Sequence, residues 1–168
     1  NMPRVSRPAE PASERKQGNL PTLVAALNDP NEAIRWWGEL GCVMLGREAA
    51  TAEAALRRAL NDPSGAVQSA AAEAMAKLGH TELALPVLER WITNLSGSFY
   101  TVHAANVLLR LGEQGRPLLP VMKKMLAATR DAGKNTAPAY LHRLLQSNIA
   151  LLEGRQPGLR EPISAGPK

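Results

Sequence analysis

Apolar and polar positions along this chain follow a helical spacing, arranged as pairs of stripes. Between Thr51 and Leu60, the residues Ala52, Ala55, Leu56, Ala59 and Leu60 fall on one stripe, which Asn61-Asp62-Pro63 interrupts. A second stripe runs through Val67, Ala70, Ala71, Ala74 and Leu78 and ends at Gly79. Apolar residues three and four apart share one face of an α-helix, so each unit reads as two helices. The interruption has a cause. Pro63 disfavours helical geometry at Asp62 and offers no backbone donor, so a new helix starts behind Ser64 as its N-cap. Gly79 supplies the left-handed C-cap conformation that residues with a β-carbon resist.

The same unit returns along the chain. Leu27-Asn28-Asp29-Pro30 recurs as Leu60-Asn61-Asp62-Pro63, 33 residues later, and Leu45-Gly46 recurs at the same step as Leu78-Gly79 and Leu111-Gly112. In that register Ile34, Val67 and Tyr100 superpose, as do Gly41, Ala74 and Val107, and Cys42, Met75 and Leu108. A fixed period with helical spacing marks a solenoid. The expected fold is therefore all-α, an α-α superhelix of about four hairpins. First helices are expected near residues 20–28, 50–60, 82–94 and 116–128, and their partners near 32–45, 65–78, 98–111 and 137–153. The fourth pair departs from the pattern, with a long polar connection from Ala127 to Thr136, as suits a terminal repeat that closes the core. Residues 1–18 and 154–168, rich in Pro, Gly, Ser and charge, read as an N-terminal linker and a flexible C-terminal tail around a repeat domain at 19–153. Opening on Asn1 in a polar, Pro-rich stretch, the chain reads as a segment cut from a longer protein at a linker.

Composition narrows the chemistry. Apolar residues make up 45% of the chain and aromatics only 4%, with Ala and Leu, the strong helix formers, dominating. The single cysteine, Cys42, excludes an intrachain disulfide framework and a thiolate zinc site, and His80, His103 and His142 lack metal-ligand spacing. Cys42 is expected in the core, and no metal or cofactor is expected. No apolar run approaches the roughly 20 residues needed to span a bilayer, and nothing near the N-terminus resembles the apolar stretch of a signal peptide.

The net charge of +5 suggests nucleic acid until the charges are placed. Residues 1–19 and 154–168 together carry +4 of it, and the body between them is −2 before His80 and +3 from His80 onward. No continuous basic stripe results, which argues against a phosphate-tracking groove.

A unit of apolar helix, Asp-Pro, Val or Ile opening a second helix, small residues and Leu-Gly resembles HEAT and HEAT-like repeats. A narrower likeness lies in Ala12-Ser13-Glu14-Arg15 with Asn19-Leu20-Pro21, then Ala33-Ile34-Arg35-Trp36-Trp37-Gly38 with Leu40-Gly41, and Ala71-Ala72-Glu73-Ala74 with Lys77-Leu78-Gly79. Ala84-Leu85-Pro86-Val87-Leu88 and Leu111-Gly112, leading to Leu118-Leu119-Pro120, extend it. Over residues 12–153 the chain resembles the helical region that follows the catalytic domain in some bacterial sulfatases of the arylsulfatase/N-sulfoglucosamine sulfohydrolase type. That resemblance implies a non-catalytic accessory domain, with an upstream catalytic domain of the same polypeptide as partner and export to the periplasm or cell exterior. Those enzymes use a C/S-x-P-x-R motif matured to formylglycine, which Cys42-Val43-Met44-Leu45-Gly46 does not match, so the catalytic part is implied to lie outside this chain. The Arg typical of the second position of the second helix is present as Arg35 but replaced by Gln68 and Thr101.

No residue stands out as catalytic. Cys42 has no base nearby in sequence, Glu39, Glu73 and Glu113 are spread along the chain, and no Gly-rich phosphate loop occurs. For binding, the second helices of such a stack line its inner face, which nominates Arg35, Trp36, Glu39, Gln68, Ser69, Thr101 and Val102. Trp36 and Trp37 are the most informative pair in a chain so poor in aromatics, and adjacent helical positions point about 100° apart, so one ring is expected near the surface. They either fill the space beside Gly38 and Gly41 or dock a preceding domain. Three functions stay open: sulfatase accessory domain, free-standing protein adaptor, and nucleic-acid-binding repeat.

Overall fold

The computed structural model describes residues 6–14, 16–96 and 98–155. Four helical hairpins follow one another: α2 (Leu20–Ala26) with α3 (Glu32–Leu45), α4 (Glu53–Ala59) with α5 (Gly65–Leu78), α6 (Thr81–Ile92) with α7 (Tyr100–Leu111), and α8 (Leu119–Ala128) with α9 (Ala137–Leu152). The second helices form a continuous layer in which α3 packs on α5, α5 on α7 and α7 on α9. This is an all-α helical-repeat solenoid.

One element falls where the sequence reading places only a linker. Ser6–Glu14 is a helix, α1, packed on the open flank of α3. Ala12 is buried there, and the Asn19 side-chain amide donates to the Pro11 carbonyl and to Glu14 Oε2. The Pro-rich composition suggests a chain with no packed core of its own, but the first unit's second helix has no preceding neighbour, and α1 covers its apolar side. The reading of 154–168 as a tail lies almost wholly outside the described residues.

The repeated Asn-Asp-Pro motif has a local mechanism. Asp29 Oδ1 accepts from the Asn31 amide at 2.8 Å, and Asp62 Oδ1 accepts from the Ser64 amide at 2.8 Å, so each Asp bridges its own proline and holds the turn. Asn31 then caps α3, its side chain accepting from Ala33 N. Ser64 occupies the corresponding position, but its hydroxyl makes no cap bond, because Asp62 already holds the turn. The Leu-Gly stops are equally specific: Gly46, Gly79 and Gly112 have φ of +57°, +103° and +53°, a region closed to most L-residues. After Gly46 and Gly112 the chain runs through 3₁₀ segments, Gly46–Ala52 and Gly112–Leu118, which shorten the α-helical parts of α4 and α8 relative to expectation.

Between the layers lies one apolar core, with Leu23, Leu56, Leu88 and Met122 from the first helices and Cys42, Met75, Leu108 and Leu141 from the second. The repeat register tolerates size changes by complementing them across the hairpin. Gly41 stands where later units have Ala74 and Val107, and a β-carbon there would sit 2.5 Å from Leu23 Cδ2, so Leu23 fills the space.

Candidate functional site

Two of the residues nominated as a binding face, Arg35 and Gln68, instead join neighbouring units, and three more, Glu39, Ser69 and Thr101, are buried. Arg35 forms a bidentate pair with Asp62, Nε to Oδ2 at 2.7 Å and Nη2 to Oδ1 at 2.9 Å, while Nη1 donates to the carbonyls of Asp29 and Pro30. The side chains of this pair are only 14% and 9% exposed. One unit further on, Gln68 takes the arginine's place. Its amide donates to the Asp62 carbonyl at 2.5 Å, and its oxygen accepts from Arg90 Nη2 at 2.6 Å and Trp91 Nε1 at 2.7 Å. Ser69 and Thr101 are buried, their hydroxyls donating to the Gly65 and Ser98 carbonyls. Glu39 is fully buried, and neither carboxylate oxygen has a hydrogen-bond partner. Where an inner face was expected to present Arg35, Glu39, Gln68, Ser69 and Thr101, the last four are buried and Arg35 is half-buried. In a single layer of stacked second helices, one side of each helix meets the next helix rather than solvent.

Trp36, Trp37 and Val102 are half-buried. The two tryptophan rings meet edge to face, 5.0 Å between centroids, and both pack against the core while staying partly exposed.

The chain's exposed large apolar side chains gather elsewhere. Among the described residues they are Leu95 (42% exposed), Phe99 (55%), Tyr140 (37%) and Leu151 (43%). The first three lie where the third hairpin meets the fourth. Leu95, Ala128, Ala132 and Pro138 line an open cleft of about 520 Å³, and Asp131 is the one charged residue in its wall. The Phe99 and Tyr140 rings sit 6.0 Å apart, joining the start of α7 to the first turn of α9. The Arg143 guanidinium lies 4.5 Å from the Tyr140 ring centroid, in cation–π contact. The far wall is held in shape: Thr129 Oγ1 donates to Met125 O at 2.8 Å and meets His142 Nδ1 at 3.1 Å, and Thr136 Oγ1 donates to Gly133 O at 2.6 Å while accepting from Ala139 N at 3.3 Å.

The repeat itself carried a signal for this place. In the 33-residue register Asp29 and Asp62 are followed by Leu95, and Ala33 and Ala66 by Phe99, the chain's one phenylalanine. Where two earlier units hold a turn-forming carboxylate and a small residue, the third presents two apolar side chains to solvent. Tyr140 gave no such signal, because the long connection before α9 shifts the register.

Cys42 is closed off from reaction. Burial pushes the Cys42 thiol up to about 12, with Glu39 nearby adding to the shift. A thiol so buried is inert, and Cys42 is expected to resist Ellman's reagent at pH 8 until the chain is unfolded. Reaction of the folded protein at the rate of an unfolded control would contradict this packing. Among the described residues no group of three or more His, Cys, Asp and Glu side chains could hold a metal ion, and no helix is long and apolar enough to cross a membrane.

The architecture thus defines the class: a helical-repeat solenoid of the protein-interaction type, whose exposed apolar cleft sits on the edge of its last seam. A family model for HEAT repeats matches residues 20–105, just over half of the chain, and the chain belongs to the HEAT repeat family. No curated protein and no solved structure matches it.

Proposed function

We propose that this chain is a non-catalytic docking domain that holds a protein partner at the cleft between its third and fourth hairpins. The observation that carries the reading is the exposure of Leu95 in the cleft wall and of the Phe99–Tyr140 ring pair, where the repeat abandons its own pattern. Clustered aromatic and aliphatic side chains around a preformed depression are the usual anchors of protein interfaces. An open cleft with apolar walls suits a side chain offered by a polypeptide better than a small molecule, which binds where most of its surface is enclosed.

The partner assigned to the domain, on the likeness of residues 12–153 to the region following bacterial sulfatase catalytic domains, is a sulfatase-type catalytic domain of the same polypeptide. The distribution of charge supports a protein partner over nucleic acid. Arg35, Arg57, Arg110, Arg116 and Lys123 are each committed to a carboxylate within the fold, which takes them out of any surface that could follow a phosphate backbone.

The test is calorimetric titration of this chain with the separately produced domain that bears the C/S-x-P-x-R motif in the parent polypeptide. Burying one leucine is worth about 1.5–3 kcal/mol, so Leu95→Asp is expected to weaken binding by about tenfold or more without changing the thermal midpoint. If the parent encodes no such domain, the sulfatase assignment fails and the adaptor reading takes its place. Full-strength binding by both Leu95→Asp and Phe99→Ser would remove the cleft from the interface.

A further inference from the structure

We propose that Glu39 is a proton-operated latch on the first hairpin: protonated, it lets the packing around α3 close, and on losing its proton it opens that end of the solenoid while the later hairpins stay folded. The inference is independent of the docking reading above.

The carboxyl of Glu39 is fully buried on α3, and neither oxygen meets a donor. The same register position is Ala72 in the second unit and Ala105 in the third, each fully buried. An acid thus stands where the repeat otherwise takes a methyl group. Burial holds this carboxyl well above the ordinary carboxylate range, and the Asp62 charge adds to the shift.

No element packed against α3 supplies a counter-charge among the described residues. Those elements are α1, α2, α5 and the 3₁₀ segment that follows Gly46. The first offers Glu10 and Glu14, α2 has no charged residue, and the 3₁₀ segment has Arg47 and Glu48, all four side chains exposed. On α5, Glu73 is paired with Arg110, and Lys77 donates to the Val43 carbonyl. Asp62, in the turn before α5, has the same sign as an ionised Glu39. On α3 itself Glu32 is exposed, and Arg35 is spent on Asp62 and on the carbonyls of Asp29 and Pro30.

A carboxylate in such a place is relieved by admitting water, and the cost of admitting it differs along the stack. Each unit of a solenoid is held by its own fold and by its nearest neighbours. Both α5 and α7 have a second helix on either side, whereas the outer side of α3 is covered by α1. That cover is thin: nine residues with Pro11 inside the helix, and Ala12 as the one fully buried side chain among those described. Lifting this end therefore wets Glu39 at less cost than unfolding the whole chain. The closed form holds the proton and the open form releases it. The opening constant is accordingly flat below the unfolded-state value and rises about tenfold per pH unit until the pH passes the raised folded one. The open form stays a minor population, visible in amide exchange and not as lost helicity.

Amide hydrogen exchange of the full chain between pH 5 and pH 8, read as protection factors so that the intrinsic pH dependence cancels, tests this. At pH 8, amides of residues 36–43 on α3 are expected to be at least about tenfold less protected than those of residues 104–108 on α7. Their opening should depend less steeply on denaturant than global unfolding does, because less surface is exposed. Across the range their protection should fall with pH in the wild type and stay level in Glu39→Gln. Glu39→Met is the second variant, in case a buried amide lowers overall stability.

Equal protection of the two helices, with the same denaturant dependence at every pH, would mean that Glu39 is wetted only by global unfolding, and the latch would be overturned. A pH dependence in α3 that persists unchanged in both variants would assign the opening to another group and would overturn it as well.

Discussion

Asp62→Ala is expected to lower the unfolding free energy by about 3 kcal/mol, since removing one partner of a largely buried ion pair leaves the other charge without its counterion. For a chain of this size that corresponds to a fall of roughly 6–12 °C in the thermal midpoint. Two functions of one carboxylate are lost together. Asp62 takes the bidentate pair from Arg35 across the first seam and also accepts from the Ser64 amide that opens α5. Asp62→Asn should cost less, because an amide oxygen can still serve Ser64 while the charge pairing disappears. Arg35→Met should fall between the two, removing the charge but keeping the apolar stem. The decisive measurement is a double-mutant cycle of Arg35→Met with Asp62→Ala. Interacting pairs show coupling of about 0.5–3 kcal/mol. Strictly additive effects would mean that the seam is held by packing alone.

The opposite sign is expected at Glu39. Its carboxyl is fully buried with both oxygens unpartnered, and burial, with the Asp62 charge as a second cause, holds it well above the ordinary carboxylate range. Arg35 stands one helical turn away, but four of its N–H groups are already spent on Asp62 and on the carbonyls of Asp29 and Pro30. In the next unit the same register position is Ala72, also fully buried, so the site is one that the fold treats as apolar. Replacement by an apolar side chain of similar length, Glu39→Met, is expected to stabilise the domain by about 1–4 kcal/mol at neutral pH.

The pH dependence follows from the direction of the shift. Below the unfolded-state pKa of about 4.3, the carboxyl is protonated in both states and contributes no pH-dependent penalty. As pH rises above that value the unfolded chain releases its proton while the folded chain retains it. Stability then falls by about 1.4 kcal/mol per pH unit until the pH passes the raised folded value, where the loss is complete. Glu39→Met, and Glu39→Gln as the polar control, should remove this slope. Denaturant titrations between pH 4 and pH 8 would show it. Identical slopes in wild type and both variants would mean that Glu39 ionises freely in the folded state, contrary to its enclosure.

The periodic part of the structure was readable because its causes are local. Asp-Pro turns and Leu-Gly stops act within a few residues of themselves, and the stripes through Val67, Ala71 and Ala74 need only helical geometry to be recognised. Six of the eight hairpin helices lie within two residues of the positions that spacing predicts, and α4 and α8 start three residues late only because the chain first runs through a 3₁₀ segment. A Pro-rich composition hid α1, since a helix stabilised by covering α3 has no signature in its own sequence. Local rules likewise say which residues share a helix face, but not which flank of that face meets the neighbouring helix. Arg35 and Gln68 therefore read as solvent-facing in sequence, whereas they bond to the next unit, and Glu39 is buried.

By itself, then, the sequence determined the class of fold, the length of the repeat and the chemistry of the turns, because each depends on interactions within one hairpin. Tertiary structure decided what each polar side chain serves. Stacking turned Arg35 and Gln68 inward to join units, trapped Glu39 without a partner, and closed Trp36 and Trp37 onto each other. It also brought Leu95 to the same cleft as Pro138 and Phe99 beside Tyr140, residues about 40 positions further along the chain. A surface assembled from two hairpins exists only once they pack, since the apolar burial that fixes their separation is a property of the whole stack.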